Sequence, residues 1–343
     1  MERKDLFITS VLQQFQTGKG RKDKKSTFRF MAEQWLSGMR LHVKESTYVK
    51  YFNVLHNHLL PELGDLSAEQ LTTGTVERFI QGKLEHGRLN GSGGLSEKSV
   101  RDMLAILREI CLYAAHWDLE IPCHFELVRV RRKEAEIRVL TRQKQLELAQ
   151  FLTSDDSLIK LGILMSLYMG LRLGEVCALQ RQYILYNEGI LCVRRTMQRI
   201  QRLRNEEPLP LHPHPKTKII ITEPKSNSSI RDIPIPPFLL KRLEILRDLP
   251  GDAYILTGTS LRFMEPRCLE NKLQKYLKDC NLTGVTYHVL RHTFATRCVE
   301  DGFDVKSLSE ILGHASVNIT LNRYVHSSMD QKRRFMEQLD MLC

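Results

Sequence analysis

The sequence has no long apolar run, and this absence argues against a membrane protein. No segment approaches the roughly 20 consecutive apolar residues that a membrane-spanning helix requires. The first residues contain only a short apolar run without a small-residue cleavage site. We therefore expect a soluble, unprocessed protein of the cytoplasm. Its 343 residues exceed the roughly 100–200 residues of one usual domain, which predicts two domains.

Cysteine pairs and metal-ligand clusters are also scarce. The eight cysteines include no CxxC pair and mostly adjoin apolar residues, which is typical of buried free thiols in a reducing compartment. The histidine pairs within 56–58 and 212–214 lack further ligands at zinc-site spacing. The Gly-rich segment at 87–94 follows no strand and precedes no Lys-Ser/Thr, so it is a weak candidate for a phosphate-binding loop. We expect no metal and no cofactor.

Positive charge, in contrast, is abundant. Lysine and arginine number 51 against 40 acidic residues, and the formal net charge of +11 favours a polyanionic partner. Residues 1–27 hold seven basic and three acidic residues, and 126–142 hold six basic residues that indicate either a linker on phosphates or a solvated connector. RRTMQRIQRLR at 194–204 has five arginines and no acid, which favours phosphate contact over a solvated strand face.

Hydrophobic periodicity divides the chain into segments. Four segments with helical spacing, each opening near a Ser or Thr able to cap a helix, predict a small helical bundle. A second helical region contains a near-continuous apolar run that predicts a buried helix pair, and short β-branched segments interrupt this region and predict a small antiparallel sheet. The expected fold class is mainly α with a small antiparallel β-sheet. The expected organisation is a basic arm at 1–27, a helical domain at 28–125, a basic linker at 126–139, a mixed domain at 140–328 and a tail helix at 329–343.

Four motifs follow one another in the second region. They are GLRLGEVCAL with Arg172, EPKSNSSIRDIPIP with Lys225, YHVLRHTFATR with His288 and Arg291, and LGHASVNITLNRYVH with His314 and Tyr324. Together, over about residues 140–330, they closely resemble the tyrosine recombinase (phage integrase) family. The preceding bundle lies where that family has its SAM-like core-binding domain.

The resemblance implies a site-specific recombinase that integrates or excises a mobile genetic element. Tyr324 would attack a DNA phosphate and form a 3′-phosphotyrosyl intermediate. Arg172 and Arg291 suit the neutralisation of the phosphate oxygens, because guanidinium groups donate paired hydrogen bonds to them. A phenol is a poor nucleophile at neutral pH, and His288 is our candidate acceptor for its proton.

A cation is also needed at the leaving group. Lys225, in the turn between two predicted strands, is the candidate that gives a proton to the departing 5′-oxygen. Lys216 and Lys218 on the preceding strand compete with it, and the match to the family's hairpin favours Lys225.

Three further residues have supporting assignments. His314, after a helix that ends at Gly313, would hydrogen-bond a non-bridging phosphate oxygen, unless it is a buried histidine with a structural partner. Glu175, one turn after Arg172, is expected to orient a catalytic cation. His292 is expected to be structural.

The resemblance also implies partners. These are double-stranded DNA with two core sites, a homotetramer assembled on DNA, and an accessory directionality protein; no membrane is involved. The short basic arm argues against accessory arm-site binding. The tail at 329–343 has an apolar stripe that would dock on its own domain or on a neighbouring protomer. A type IB topoisomerase-like strand transferase and a non-catalytic DNA-binding regulator are the alternative functions.

Overall fold

The computed structural model describes residues 27–131, 137–202, 216–224 and 227–325, together with residues 333, 336 and 337. These residues form two compact units, one over 27–131 and one from 137 onward. We call them the bundle unit and the C-terminal unit.

The bundle unit is helical throughout. Its second helix is continuous through a π-helical turn at Leu55–Leu59, and its last helix ends in a 3₁₀ turn at Ala114–Trp117. The four predicted helical segments are therefore confirmed. The α-helices are α1 Phe28–Met39, α2 Glu45–Val54, α3 Leu60–Leu63, α4 Thr73–His86 and α5 Glu97–Tyr113.

Side-chain caps begin three of these helices, as their sequences predict. Thr27, Thr72 and Ser96 each accept a hydrogen bond from the backbone N–H three residues later. The helix at Glu45 differs, because the residue before it is Lys44 and provides no side-chain cap. Apolar residues from all the helices meet in one core, among them Phe28, Met31, Leu55, Leu107 and Ile110.

The C-terminal unit is mainly helical with short strands. Its helices are α6 Arg142–Leu152, α7 Leu158–Met169, α8 Leu173–Ala178, α9 Pro237–Leu243, α10 Pro266–Asp279, α11 Tyr287–Glu300, α12 Val305–Leu312 and α13 Val317–Tyr324. Its strands are β1 Ile184–Leu185, β2 Ile190–Val193, β3 Thr196–Gln201, β4 Thr217–Thr222 and β5 Arg231–Pro234.

Helix α7 is the centre of this unit. Its near-continuous apolar sequence predicts burial, and almost every residue from Lys160 to Met169 is buried. It packs against α11, where the Tyr287 hydroxyl lies 2.6 Å from Ser166 Oγ. It ends at Gly170 in the left-handed conformation, with φ of +64°.

The strands are antiparallel, as predicted, but they form two sheets. The first has the order β1-β2-β5, with Leu191 opposite Ile233, and the second pairs β3 with β4, with Gln198 opposite Ile220. The interpretation of EPKSNSSIRDIPI as one hairpin is therefore wrong in its pairing, because β4 and β5 hydrogen-bond to different strands. Strand β1 was not predicted.

Several predictions lie outside the described residues. They concern the basic arm up to residue 26, the tail helix apart from three positions, linker residues 132–136, and Lys225. Within the described ranges, no helix combines the length and the apolar character of a membrane span, and no cluster of three or more potential metal ligands occurs. Of the seven described cysteines, four are buried, and all seven are free thiols.

Candidate active site

The end of helix α12 collects three arginines from three different parts of the C-terminal unit. Each guanidinium group donates to one of three consecutive backbone carbonyls. The hydrogen bonds are Arg231 Nε to Ile311 O at 2.6 Å, Arg291 Nη2 to Leu312 O at 2.6 Å and Arg172 Nη2 to Gly313 O at 2.8 Å.

The chemistry of a helix end explains this arrangement. The last carbonyls of an α-helix lack partners within the helix, and the helix dipole makes this end negative, so cations are stabilised there. Gly313 ends the helix in the left-handed conformation, with φ of +63°. A Cβ at this position would lie 3.0 Å from Arg231 Cδ and 3.0 Å from Ser228 O. Glycine is therefore required both by the turn and by the closeness of Arg231.

Arg291 is the most deeply held of the predicted catalytic arginines. The residue is 5% exposed, and its second hydrogen bond runs from Nη1 to Gly170 O at 2.7 Å. Burial, together with the charge of Arg172, lowers the pKa of Arg291 to about 9. The group stays charged at neutral pH, held by the carbonyls that end α7 and α12.

Glu175 joins the other two arginines. It accepts from the backbone N–H and Nη1 of Arg172, at 2.9 and 2.7 Å, and from both Nη atoms of Arg231 at 2.9 Å. Burial alone would raise the pKa of Glu175, but the charge and hydrogen bonds of Arg231, followed by those of Arg172, lower it to about 2. The expectation that Glu175 orients a cation agrees with these contacts.

Arg231 itself was missed by the sequence analysis. Its segment, SIRDIPIP, was recognised only as a strand, since alternation indicates strand structure without identifying a buried cation. The available signal was an arginine two residues before the apolar Ile233, which places both side chains on the same, inward face of the strand.

Tyr324 is the last residue of α13 and is 6% exposed. Its ring packs beside Ala295 and Leu312 and lies parallel to the His314 ring, with centroids 6.4 Å apart. Its hydroxyl lies 2.7 Å from Nδ1 of His292. The partner of this hydroxyl is therefore His292 and not His288. His292 was expected from the sequence to be structural.

Ionisation at Tyr324 is set by opposing effects. Burial raises the pKa of Tyr324, and the charges of Arg291 and Arg323 act against that increase. Burial lowers the pKa of His292 to about 4, and the charge of Arg323 acts in the same direction. At neutral pH a protonated phenol thus faces a neutral imidazole.

The other two predicted histidines differ in exposure. His314 is partly buried, with Nδ1 2.8 Å from Thr320 Oγ1, and burial followed by the charge of Arg291 lowers its pKa to about 4. His288 is exposed near the start of α11, and its pKa is lowered by desolvation and then by Arg291. The structure thus brings Arg172, Arg291, His314 and Tyr324 together around the end of α12, while Lys225 lies outside the described residues.

In the described part of the arginine-rich segment, residues 194–202, the arginines differ in environment. Arg194 is bound to Asp232 at 2.5 Å and Arg199 to Glu265, so these two side chains have protein partners. Arg195 is exposed. Phosphate contact by this segment stays a prediction, and the structure favours Arg195 over the two paired arginines.

A buried tyrosine beside carbonyl-anchored arginines, on a mainly helical unit with two small sheets, places the protein among the tyrosine recombinases, which are site-specific DNA recombinases. Residues 138–331 match the sequence profile described as "Phage integrase family", and residues 27–84 match "Phage integrase, N-terminal SAM-like domain". The chain belongs to the phage integrase family.

Relatives that match most of this chain support the membership. A "Tyrosine recombinase XerC-like" protein of Caldanaerobacter subterraneus subsp. tengcongensis is 25% identical over 327 residues, which cover 89% of this chain and 80% of the relative. The "ICEBs1 integrase" of Bacillus subtilis is 22% identical over 343 residues, which cover 96% of this chain and 87% of the relative.

Solved structures share the fold. The Tn1549 transposon integrase in complex with circular intermediate DNA has a TM-score of 0.68 and 21% identity, over 90% of this chain and 99% of that chain. A lambda integrase tetramer bound to a Holliday junction has a TM-score of 0.61 and 15% identity, over 94% of this chain and 88% of that chain.

Proposed function

We propose that this recombinase cleaves DNA with Tyr324 and conserves the energy of the broken phosphodiester bond in a 3′-phosphotyrosyl bond. The phenolic oxygen attacks phosphorus, the bond to the 5′-oxygen breaks, and a 5′-hydroxyl is released. Attack by a 5′-hydroxyl from another strand reverses these steps and completes the exchange. The covalent intermediate stores the bond, so no nucleotide cofactor is required.

The excess of positive charge beside Tyr324 carries this proposal. Arg172 and Arg231 share the Glu175 carboxylate, and Arg291 is bound only by backbone carbonyls, so three positive charges are balanced by one bonded carboxylate among the described residues. Fixed cations that need no rearrangement stabilise charge as it develops on the phosphate oxygens of the transition state. The Arg172 side chain is 34% exposed, so its guanidinium is accessible to an incoming phosphate.

The remaining roles follow from position and from the family. Arg172 and Arg291 neutralise the phosphate, and His314 hydrogen-bonds a non-bridging oxygen. His288, which the sequence favours as acceptor of the Tyr324 proton, is assigned to a second non-bridging oxygen, because the Tyr324 hydroxyl contacts His292 and His288 is exposed. Lys225, between β4 and β5 in sequence, gives its proton to the 5′-oxygen. Glu175 and Arg231 position Arg172 through their shared hydrogen bonds.

The test is a covalent trap. Its core site is first mapped by sequencing the DNA junctions formed when the protein is expressed beside its native flanking DNA. A nicked duplex carrying that site loses its short strand after cleavage, so the wild-type protein should accumulate on the 3′ side of the break. Tyr324→Phe should bind the same duplex and trap nothing. A stable adduct with Tyr324→Phe would disprove the assignment of the nucleophile.

Lys225 has a finer test. A 5′-bridging phosphorothiolate has a leaving group that needs no proton, so this substrate should rescue cleavage by Lys225→Ala. Arg172→Ala is the matched control, because it lacks charge stabilisation rather than a proton, and it should not be rescued. Equal rescue of the two variants would remove the general-acid role.

The biological setting and the assembly are also part of the proposal. The relatives' names include a transposon integrase and the ICEBs1 integrase, which supports integration or excision of a mobile element, in the cytoplasm, with or without an accessory directionality protein. Exchange between two duplex core sites needs four cleavages, which favours a homotetramer on DNA, and the bundle unit is proposed to help hold each core site.

Deletion of residues 329–343 tests the assembly. It should leave single-site binding intact and reduce recombination. Loss of single-site binding would indicate that the tail docks on its own protomer.

A further inference from the structure

One hydrogen bond joins the proposed nucleophile to a histidine outside the predicted catalytic set. Nδ1 of His292 lies 2.7 Å from the Tyr324 hydroxyl, and the two rings are tilted by 48°. His292 belongs to α11 and Tyr324 ends α13, so the contact depends on the packing of two elements. This distance is within the range for direct proton transfer.

The ionisation states set the direction of this hydrogen bond. Burial lowers the pKa of His292 to about 4, with Arg323, His288 and Arg291 acting in the same direction, so the imidazole is neutral at pH 7. Burial raises the pKa of Tyr324, so the phenol keeps its proton. The phenol is then the donor and Nδ1 the acceptor, which places the ring hydrogen of the neutral imidazole on Nε2.

A bound phosphate changes the basicity of His292. The groups that face His292 are cationic or can become so: Arg291 and His288 on its own helix, and Arg323 on α13. A phosphodiester at the arginine cluster brings a negative charge that counters these cations and favours a protonated imidazole. His292 therefore becomes a stronger proton acceptor when DNA occupies the site.

We propose that His292 is a catalytic residue, which accepts the proton of Tyr324 during DNA cleavage. The proposal rests on Tyr324 being the nucleophile. As the phenolic oxygen bonds to phosphorus, its proton moves to Nδ1 of His292, while the bond from phosphorus to the 5′-oxygen breaks and that oxygen is protonated by the general acid. During rejoining, the 5′-hydroxyl gives its proton to the deprotonated general acid as it attacks phosphorus. The bond from phosphorus to the Tyr324 oxygen then breaks, and His292 returns the proton to that oxygen.

His288, the acceptor favoured from sequence, provides the matched comparison. It precedes His292 by one helical turn on α11, and it is exposed. Among the described residues, no hydrogen bond joins His288 to Tyr324. The two histidines are thus the same residue type on the same helix, and only His292 contacts the reacting oxygen.

The experiment measures the single-turnover rate of cleavage of the nicked duplex by the full-length protein at saturating concentration. His292→Gln keeps a polar side chain that cannot take up a proton at neutral pH. Its rate should fall by about 10²-fold or more, the usual contribution of a general base. Saturation separates this effect from any change in DNA affinity.

A more acidic nucleophile then separates proton transfer from positioning. Replacement of Tyr324 by 3,5-difluorotyrosine lowers the need for a base, so it should restore most of the rate lost by His292→Gln. His288→Gln and Arg172→Ala lose phosphate contacts and keep the base, so the same replacement should not restore their cleavage rates.

Two results would overturn the role of His292. One is a His292→Gln rate close to that of the wild type, and the other is a slow rate that difluorotyrosine leaves unchanged, since the hydrogen bond would then only position the phenol. The proposed function has a separate test. An adduct formed by Tyr324→Phe would disprove the assignment of Tyr324 as the nucleophile. An inactive Tyr324→Phe together with a fully active His292→Gln would reject only the role of His292.

Discussion

The two units of the protein bury very different amounts of charge. In the described part of the bundle unit, Lys83 is the one buried ionisable side chain outside cysteine, and it pairs with Glu62 at the edge of the core. The C-terminal unit buries Lys160, Glu175, Arg231 and Arg291. Its apolar core is also extensive and is centred on α7.

The difference lies in how each unit is stabilised. Apolar burial and helix caps account for the described part of the bundle unit, where Lys83 pairs with Glu62 at the edge of the core. The C-terminal unit holds the three arginines at the end of α12 in fixed positions, which costs desolvation energy. It offsets that cost with the Glu175 carboxylate and the carbonyls at helix ends. Among the described residues, charge held in fixed positions by buried partners is the feature that distinguishes the C-terminal unit from the bundle unit.

Removal of the shared carboxylate is expected to have the largest effect. Glu175→Ala leaves the buried Arg231 without its ionic partner, and breaking a buried pair costs about 3–5 kcal/mol. The C-terminal unit should unfold at lower urea concentration, as followed by circular dichroism. Both tryptophans, Trp35 and Trp117, lie in the bundle unit, so the transition seen by tryptophan fluorescence should stay in place.

Asp65→Ala is the control for that comparison. Its partner Arg29 is also exposed, and exposed pairs contribute about 0–1 kcal/mol. Equal destabilisation by Glu175→Ala and Asp65→Ala would show that buried charge does not distinguish the two units.

The next largest effect on stability is expected from alanine substitutions at two glycines in the left-handed conformation. Gly170→Ala places a Cβ 2.6 Å from Phe294 Cδ1 and 2.9 Å from Leu312 Cδ2, at φ of +64°. Overpacking of about 1–3 kcal/mol adds to the backbone strain, and displacement of the Gly170 carbonyl should disturb Arg291 and slow cleavage.

Gly302→Ala meets nothing within 4 Å, at φ of +83°. It should show the backbone strain alone, about 1–2 kcal/mol, with cleavage unchanged. If the two variants had the same stability and the same cleavage rate, the Gly170 carbonyl would not be an anchor for Arg291.

Acid should weaken the C-terminal unit more than the bundle unit. The pKa values of His292 and His314 are about 4 in the folded protein and about 6.5 when unfolded. Between these values the unfolded chain binds more protons, so stability falls as pH decreases from about 6.5 to about 4. The pKa of Glu175, about 2, adds a second loss below about pH 4.5.

Urea unfolding at pH 7 and pH 5 tests the first of these losses. In the double variant His292→Gln/His314→Gln, the decrease in stability of the C-terminal unit should be smaller than in the wild type. His58 of the bundle unit also has a lowered pKa, because of burial and then Lys83, so the fluorescence transition serves as the internal reference. A double variant with undiminished pH dependence would assign the acid sensitivity to other groups.

The smallest expected effect is that of chelation. Two arginines and a lysine are proposed to supply the positive charge at the phosphate, so cleavage should continue in excess EDTA, while added salt should weaken DNA binding through counterion release. Loss of cleavage in EDTA at unchanged DNA binding would mean that the arginine cluster is insufficient.

Local patterns in the sequence predicted much of the fold. The apolar run of α7 indicated a buried helix, and Thr27, Thr72 and Ser96 indicated helix starts, because both signals depend on neighbouring residues. The pairing of β5 with β2 was not predictable in the same way. Strand pairing joins residues distant in sequence, and a short alternating segment does not identify its partner.

The same distinction applies to the site. Sequence motifs predicted Arg172, Arg291, His314 and Tyr324 as site residues, and these residues meet around the end of α12. The role of Arg231 and the contact of His292 were not predicted, since each depends on how separate elements pack. A histidine directly after Arg291 in sequence gives no sign that α13 will bring a tyrosine hydroxyl to it.

The carbonyl anchors at the end of α12 also bear on how this protein can be altered. Ile311 and Leu312 contribute main-chain oxygens that any amino acid would contribute, so their side chains are constrained by packing and not by the arginines they hold. Only the path of the chain, fixed by Gly313, must be preserved. Variation at Ile311 should therefore leave the chemistry unchanged, whereas the Leu312 side chain also packs in the cluster that contains Tyr324. Libraries that retarget the enzyme to new DNA can use Ile311 to recover stability without changing the groups proposed to be catalytic.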